Sequence, residues 1–160
     1  MDCMNTVMTY QISSADLEGT EQLAQQVGKK LSGGEVITLS SDLGGGKTAF
    51  VRGLARGMGS TDHVASPTFT IGREYHSQAK GLTLYHFDFY RLQEPGLMAL
   101  ELGEALANTA GVVAVEWGGV VEGVLPDARL SITITRSGEN TRDFQFAYPE
   151  ALAYLIPETS

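Results

Sequence analysis

Cysteine and long apolar runs are nearly absent from this chain of 160 residues. The single cysteine, Cys3, excludes an internal disulfide, which agrees with a reducing compartment. No apolar stretch is long enough to span a bilayer, and the N-terminal MDCMNTVMTYQ lacks the basic start and apolar core of a signal peptide. We therefore expect a cytoplasmic protein that has no membrane anchor.

Basic residues are also scarce, because 11 Lys and Arg stand against 19 Asp and Glu and leave a net charge of −8. Phosphate backbones are bound mainly through Lys and Arg, so this composition argues against a broad nucleic-acid-binding surface. If nucleic acid is involved, we expect a partner to hold it. There is no repeat or low-complexity segment, and the length suits one domain over residues 1–160.

One stretch, from Val36 to Gly59, carries the most specific pattern in the chain. It opens with an apolar run of β-forming residues, which predicts a strand, and Phe50, Val51 and Leu54 recur later at helical spacing. Between them, SDLGGGKT fits the phosphate-binding pattern G-x-x-x-x-G-K-[ST] at every defined position except the first, which is Ser41. Strand, loop and helix therefore follow in the order that a phosphate-binding loop requires.

The residue types of this loop suit phosphate chemistry. Glycines let backbone N–H groups converge on phosphate oxygens, Lys47 adds a point charge, and the Thr48 hydroxyl can hold Mg²⁺. The helix that begins there adds its N-terminal dipole. A glycine-rich turn with a surface lysine is the simpler alternative, and Ser41 leaves the loop geometry open because glycine adopts conformations that serine adopts only at a cost. We predict these nucleotide-binding residues: Asp42, Leu43, Gly44, Gly45, Gly46, Lys47, Thr48 and Ala49.

Two acidic residues end apolar runs that read as strands, Asp88 in LTLYHFD and Glu116 in VVAVE. Parallel strands of an α/β sheet present their carboxyl ends to one crevice, so we expect both acids beside the loop. With Lys47 and Thr48 they predict a catalytic Mg²⁺-nucleotide site in which Asp88 and Glu116 serve the metal or the attacking water. Taken alone, Glu116 is more simply an exposed strand-end acid. His86 shares a strand face with Asp88, and we interpret it as a hydrogen-bonded core or rim histidine rather than a ligand.

The remaining patterns complete an α/β arrangement. A helix is predicted over residues 17–31, and a second helix ends at Ala107 with Leu97, Leu100 and Leu102 on its apolar face. Two alternating stretches joined by a polar turn near the C-terminus predict a hairpin. The predicted fold is therefore a single P-loop NTPase-like domain with a mixed, partly parallel sheet flanked by helices.

Taken together, four motifs resemble one family over nearly the whole chain: SDLGGGKT, VASPTFT, LYHFDFYRL, and VVAVEW followed later by LPD. The family is TsaE, bacterial ATPases that take part in forming threonylcarbamoyladenosine in tRNA. The resemblance implies that Lys47 contacts the β- and γ-phosphates of ATP and that Thr48 holds Mg²⁺. It also implies that Asp88 and Glu116 lie at the metal and the attacking water.

The segment Ser66-Pro67-Thr68 follows the loop closely in sequence and can serve as a switch that reaches Mg²⁺ or the terminal phosphate. A Ser-Pro-Thr turn that leads into a strand is the alternative. The resemblance implies that Ser66 and Thr68 belong to a mobile segment that senses the γ-phosphate. It also marks departures from the family pattern, which are Ser41 for Gly, Gly45 for Ala, and Ala49 where a second Thr is common.

The resemblance further implies two partner proteins, TsaB and TsaD, the second of which carries the transfer chemistry. ATP hydrolysis would reset that complex between cycles, and tRNA would be reached only through the partners. Two other functions stay open. A small P-loop kinase would need a second substrate pocket and usually an Arg-rich lid, and no Arg-rich run is present. A nucleotide-dependent binding module without turnover would not need two strand-end acids.

Overall fold

The structure is a computed structural model that describes residues 7–41, 46–62, 72–89, 96–116 and 123–157. Strands and helices alternate through most of these ranges. In chain order the elements are β1 (Val7–Ser14), α1 (Leu17–Lys29), β2 (Val36–Ser41), α2 (Lys47–Gly57), β3 (Gly72–Ser77), β4 (Leu82–Asp88), α3 (Gly96–Ala107), β5 (Gly111–Glu116), β6 (Leu130–Arg136), β7 (Arg142–Pro149) and a 3₁₀ helix (Glu150–Leu155).

The strands form one seven-stranded sheet in the order β1-β7-β6-β2-β5-β4-β3. Its centre is parallel, because β2 pairs in parallel with β5 and β6, and β4 pairs in parallel with β5. The pairs β1 with β7, β6 with β7 and β3 with β4 are antiparallel. The predicted mixed sheet and the predicted β6–β7 hairpin are therefore confirmed.

Helices pack on both faces of this sheet. Alternation along β2 turns Ile37 and Leu39 toward α1 and α2, whereas Val36 lies in the cluster that α3 covers. The helices α1 and α2 pack closely through glycine, since a Cβ on Gly53 would lie only 2.4 Å from the carbonyl oxygen of Glu21. Any side chain at Gly53 would push the two helices apart. This close contact holds α2, and with it the end of the predicted phosphate-binding loop, firmly over the sheet.

Two helix predictions need correction. The helix α1 begins after Asp16, whose carboxylate accepts a hydrogen bond from the Gly19 N–H, but it ends at Lys29 rather than at residue 31. In α3, Leu100 is 67% exposed, so its assignment to the apolar face was wrong. The prediction for Leu102 is confirmed, because Leu102 is buried together with Ala105, three residues further on the same face. The side chain of Leu97 lies outside the described residues. Within the described ranges, no helix is long and apolar enough to cross a membrane.

The amino-terminal edge of the central strands is closed by a buried carboxylate. Glu35 accepts hydrogen bonds from the backbone N–H groups of Ser32 and Gly33, from the Ser32 hydroxyl and from the Tyr154 hydroxyl. Burial acts to raise the pKa of Glu35, but these donors, with Tyr154 the strongest, outweigh it and hold the pKa below its ordinary value. Burial, followed by the same hydrogen bond, raises the pKa of Tyr154 to about 12. This cluster joins the α1–β2 connection to the C-terminal 3₁₀ helix.

Candidate nucleotide-binding site

The predicted phosphate-binding loop connects the carboxyl end of β2 to the first turn of α2. Gly46 caps that helix in the left-handed conformation, with φ of 99°, which glycine adopts at little cost. Its carbonyl accepts the hydrogen bond from the N–H of Phe50 at 3.0 Å. Lys47, Thr48 and Ala49 form the first turn of the helix. The other predicted loop residues lie outside the described residues: Asp42, Leu43, Gly44 and Gly45.

The departure at position 41 places no strain on the backbone. Ser41 is the last residue of β2, and it is aligned with Ile134 of the parallel strand β6. An extended strand conformation is open to serine as readily as to glycine. At position 41 itself, the backbone therefore does not require the family's Gly.

The two predicted acids lie at the same edge of the sheet. Asp88 ends β4, Glu116 ends β5, and the two are register partners on adjacent parallel strands. Glu116 is also aligned with Leu39, two residues before the end of β2. The topology therefore places Glu116 on the strand adjacent to β2 and Asp88 one strand further, both at the sheet edge from which the loop departs, as the sequence predicts.

Glu116 is buried and held by two cationic or ionisable groups. Its side chain carries Oε1 at 3.5 Å from the Nζ of Lys47, and its Oε2 forms a hydrogen bond with the Nε2 of His86. The residue is only 3% exposed, so its interpretation as an exposed strand-end acid is wrong. A buried carboxylate without partners would cost several kcal/mol, on the order that buried ions generally do. Lys47 and His86 offset that cost here.

His86 contacts Glu116, although the sequence pattern did not predict it as a residue of the site. It is fully buried, and the prediction of a hydrogen-bonded core histidine is confirmed. Within the part of the chain that the structure describes, its Nδ1 has no hydrogen-bond partner. The period-two spacing with Asp88 already indicated a shared face, but the contact with Glu116 depends on strand pairing. Of the predicted catalytic residues, the structure thus joins Lys47 directly to Glu116 and aligns Asp88 beside them.

The donor set fits a magnesium ion bound with a nucleotide. Thr48 offers a hydroxyl oxygen and Asp88 a partly exposed carboxylate, and oxygen atoms are the ligands that Mg²⁺ prefers. Both carboxylate oxygens of Glu116 already face Lys47 and His86. Among the described residues, no cluster of three His, Cys, Asp or Glu side chains would hold a metal by itself. Nucleotide-bound Mg²⁺ takes much of its shell from phosphate and water, so one carboxylate and one hydroxyl suffice.

The predicted switch residues cannot be located in the same way. Ser66 and Thr68 lie outside the described residues, so their role stays a prediction. The strand that they precede, β3, is present and pairs with β4. The site that the structure describes therefore consists of the helix start at Lys47 and the ends of three parallel strands.

A parallel sheet core, a loop that enters a helix at Gly-Lys-Thr, and acids at two neighbouring strand ends define a P-loop NTPase-like fold. The chain belongs to the TsaE family, because the family model described as threonylcarbamoyl adenosine biosynthesis protein TsaE matches residues 14–144. This confirms the family resemblance that the four sequence motifs indicate.

Individual relatives agree with this assignment. The tRNA threonylcarbamoyladenosine biosynthesis protein TsaE of Bacillus subtilis is 41% identical over 130 residues, which cover 81% of this chain and 79% of the relative. The protein of the same name from Nostoc is 35% identical over 145 residues, which cover 89% of this chain and 88% of the relative. The crystal structure of Bacillus subtilis YdiB superposes with a TM-score of 0.71 at 34% identity and covers 91% of this chain and 89% of that one.

Proposed function

We propose that this protein binds Mg-ATP at the loop between β2 and α2 and hydrolyses it slowly during formation of threonylcarbamoyladenosine in tRNA. The names of its relatives assign those proteins to this biosynthesis. The observation that carries the ATPase part of the proposal is the contact of Lys47 with buried Glu116 at the start of α2. A cation for phosphate and a carboxylate for water thereby meet at one helix N-terminus.

Each residue has a role that follows from its chemistry. The backbone N–H groups from Asp42 to Ala49 would donate hydrogen bonds to the phosphates, and Lys47 would add its charge to the β- and γ-phosphates. The ammonium group has three donors, so Lys47 can contact phosphate while it faces Glu116. Thr48 and Asp88 would hold Mg²⁺, which would supply positive charge to offset the negative charge of the phosphates.

Glu116 is the group best suited to direct the attacking water. Its Oε2 is fixed by His86, so the carboxylate is held in one orientation. In the proposed step, the water oxygen forms a bond to the γ-phosphorus, the bond from that phosphorus to the β–γ bridging oxygen breaks, and ADP leaves. Glu116 accepts a hydrogen bond from the water and orients its lone pair toward the γ-phosphorus, and the protons of the water leave with the phosphate product.

The proposed partners are TsaB and TsaD, with tRNA reached only through them. The net charge of −8 supports this division, because the chain carries too few cations for a broad phosphate-binding surface. Slow turnover by the isolated protein follows if Ser66 and Thr68 complete the site only when partners dock. The cytoplasm is the proposed location, and no membrane contact is proposed.

Measuring where the γ-phosphate goes distinguishes this proposal from its two alternatives. Mg-ATP is incubated with the protein alone and with TsaB and TsaD proteins, and phosphate release is followed in each mixture. Release to water that rises on adding the partners supports the accessory ATPase. Transfer to a small-molecule acceptor would indicate a kinase, and nucleotide binding without release in either mixture would indicate a binding module.

A further inference from the structure

A groove lies between α3 and β3, on the sheet face that α3 covers, and the proposed function does not use it. Its volume is about 490 Å³, which is within the range of ligand-binding clefts. Two aromatic residues of β4 line it from the sheet, because Phe87 belongs to the core cluster under α3 and Tyr85 packs against that cluster. Glu74 of β3 also lines the groove and is the register partner of Tyr85, so their side chains lie on one face. The groove is therefore bounded by α3 and by an edge strand of the sheet.

The sides of this groove are acidic. The helix α3 contributes Glu101 and Glu104, which are three residues apart and so are neighbours on the helix surface. Both are exposed, and so is Glu74. Arg73 is the one base among the described residues that line the groove. Between residues that the structure describes, no ion pair joins any of the three glutamates to a cation. Their carboxylates are therefore available to a cation from outside the chain.

The surrounding sequence does not balance this negative charge. No Lys or Arg occurs between Arg91 and Arg129, whereas six Asp or Glu do. A cleft lined by charges of one sign attracts the opposite charge and repels its own. Phosphate backbones are negative, so nucleic acid is a poor occupant. Charge complementarity therefore indicates a positively charged occupant.

Apolar and aromatic surface beside the acids narrows the choice further. Leu100 is 67% exposed and precedes Glu104 by four residues, so the two are neighbours on the helix surface. The ring of Tyr85 is half-buried, and its hydroxyl accepts a hydrogen bond from the Nδ2 of Asn108 at 2.8 Å. An arginine guanidinium pairs with carboxylates and also stacks on aromatic rings. An arginine next to an apolar side chain, as in a segment of a protein, matches this surface better than a lone cation does.

We propose that the groove between α3 and β3 is the docking site for an arginine-bearing segment of a partner protein. This inference rests on the proposed function, in which the chain acts with TsaB and TsaD. The simpler alternative is a solvated acidic surface that serves solubility alone. The two roles differ in one measurable respect, because neutralising a docking site weakens partner binding, whereas neutralising a solvated surface does not.

Exposed acids elsewhere on the molecule provide a matched control. One lies in the first turn of α1, one in the β6–β7 turn and one at the start of the 3₁₀ helix. Replacing either set of three by glutamine removes the same amount of charge, so a general effect of net charge would be equal in both. The groove variant is Glu74→Gln/Glu101→Gln/Glu104→Gln, and the control variant is Glu18→Gln/Glu139→Gln/Glu150→Gln.

The experiment is a calorimetric titration of premixed TsaB and TsaD proteins into the wild type and each variant, with the thermal midpoint of each recorded. We expect the groove variant to raise the Kd about tenfold or more, the combined scale of three ion pairs at an exposed rim. The control variant should stay within about twofold of the wild type. All replaced side chains are exposed, so the thermal midpoints should stay at the wild-type value.

Two single variants test the chemistry of the occupant. Arg73→Gln removes a positive charge beside a positively charged segment and should lower the Kd by about twofold. Leu100→Ser removes an apolar contact that a lone cation would not need, and it should raise the Kd about threefold. Weaker binding by Arg73→Gln would indicate an acidic occupant, and an unchanged Kd in Leu100→Ser would indicate a lone cation. Either result would overturn the inference.

Wild-type affinity in the groove variant would also overturn the inference, while the proposed function stands. An equal loss in the groove and control variants would show that net charge, and not this groove, governs binding. A wild type that binds neither TsaB nor TsaD would overturn the proposed partners and this inference together.

Discussion

Two buried glutamates lie at opposite edges of the central sheet, and their surroundings differ. Glu35, 4% exposed, precedes β2, and its donors among the described residues are neutral, namely two backbone N–H groups and two hydroxyls. Glu116 ends β5 and faces the ammonium of Lys47 and the imidazole of His86. One carboxylate is therefore held by fixed dipoles, and the other by side chains that can carry charge.

The difference separates a structural role from a chemical one. Two of the donors to Glu35 are backbone N–H groups of the α1–β2 connection just before it. These hydrogen bonds therefore form when that connection folds. The partners of Glu116 come from α2 and β4, and Lys47 is also the residue expected to bind phosphate. A carboxylate that shares its cation with a ligand can respond to the ligand, whereas Glu35 cannot.

The largest effect is expected from Lys47→Ala. This variant lacks the ammonium group that would contact the phosphates. We therefore expect the rate of ATP hydrolysis to fall by a factor of about 10² or more, the scale seen when a preorganised charge-stabilising group is lost. Mg-ATP titration and phosphate release measure the effect. Because Lys47→Ala also leaves Glu116 without its cation, the double variant Lys47→Ala/Glu116→Gln is the control for stability. Unchanged hydrolysis by Lys47→Ala would contradict the phosphate-loop assignment.

Glu35→Ala tests whether Glu35 contributes to the stability of the fold and not to nucleotide binding. It leaves the backbone N–H groups of Ser32 and Gly33 and the Tyr154 hydroxyl without their acceptor, so the free energy of unfolding should fall by about 3 kcal/mol. Glu35→Gln retains an acceptor and should lose about 1 kcal/mol. Chemical denaturation measures both. Mg-ATP affinity in the folded fraction should stay at the wild-type value. A parallel loss of affinity would show that Glu35 also contributes to nucleotide binding and is not purely structural.

His86→Ala tests whether the orientation of Glu116 matters for hydrolysis. We expect a loss of about tenfold in kcat with a smaller change in KM, the usual scale for partners that orient a reactive carboxylate. Steady-state phosphate release measures both constants. His86→Gln retains a donor and should recover part of kcat. If His86→Ala keeps the wild-type kcat, then the contact with Glu116 serves only the packing of the core.

The smallest effect concerns Tyr154 at alkaline pH. Its folded-state pKa of about 12 lies above the ordinary value of 10.0, so the unfolded chain loses this proton first. The contribution of the protonated Tyr154 hydroxyl to the free energy of unfolding is complete below about pH 10 and is lost as the pH rises to about 12. Urea unfolding across this window should show a shallower decline for Tyr154→Phe than for the wild type. Equal slopes would show that the Glu35 contact does not depend on the Tyr154 proton.

Local patterns in the sequence predicted the loop, the strand-end acids and the mixed sheet, because each depends on a short stretch of chain. The assignment of Leu100 to the buried face of α3 was wrong, since its apolar side chain is exposed and Leu102 and Ala105 face the core. The bond from Tyr154 to Glu35 was not predictable, because the two residues are 119 positions apart.

By itself, the amino-acid sequence determined the chemistry available at the site, since Gly46, Lys47 and Thr48 adjoin in the chain and each acid ends its own apolar run. Only the tertiary structure decided which groups meet. Strand order puts β5 between β2 and β4, and this order brings Glu116 to Lys47 and His86. The physical reason is that side-chain periodicity is encoded over a few residues, whereas strand pairing depends on the packing of the whole sheet.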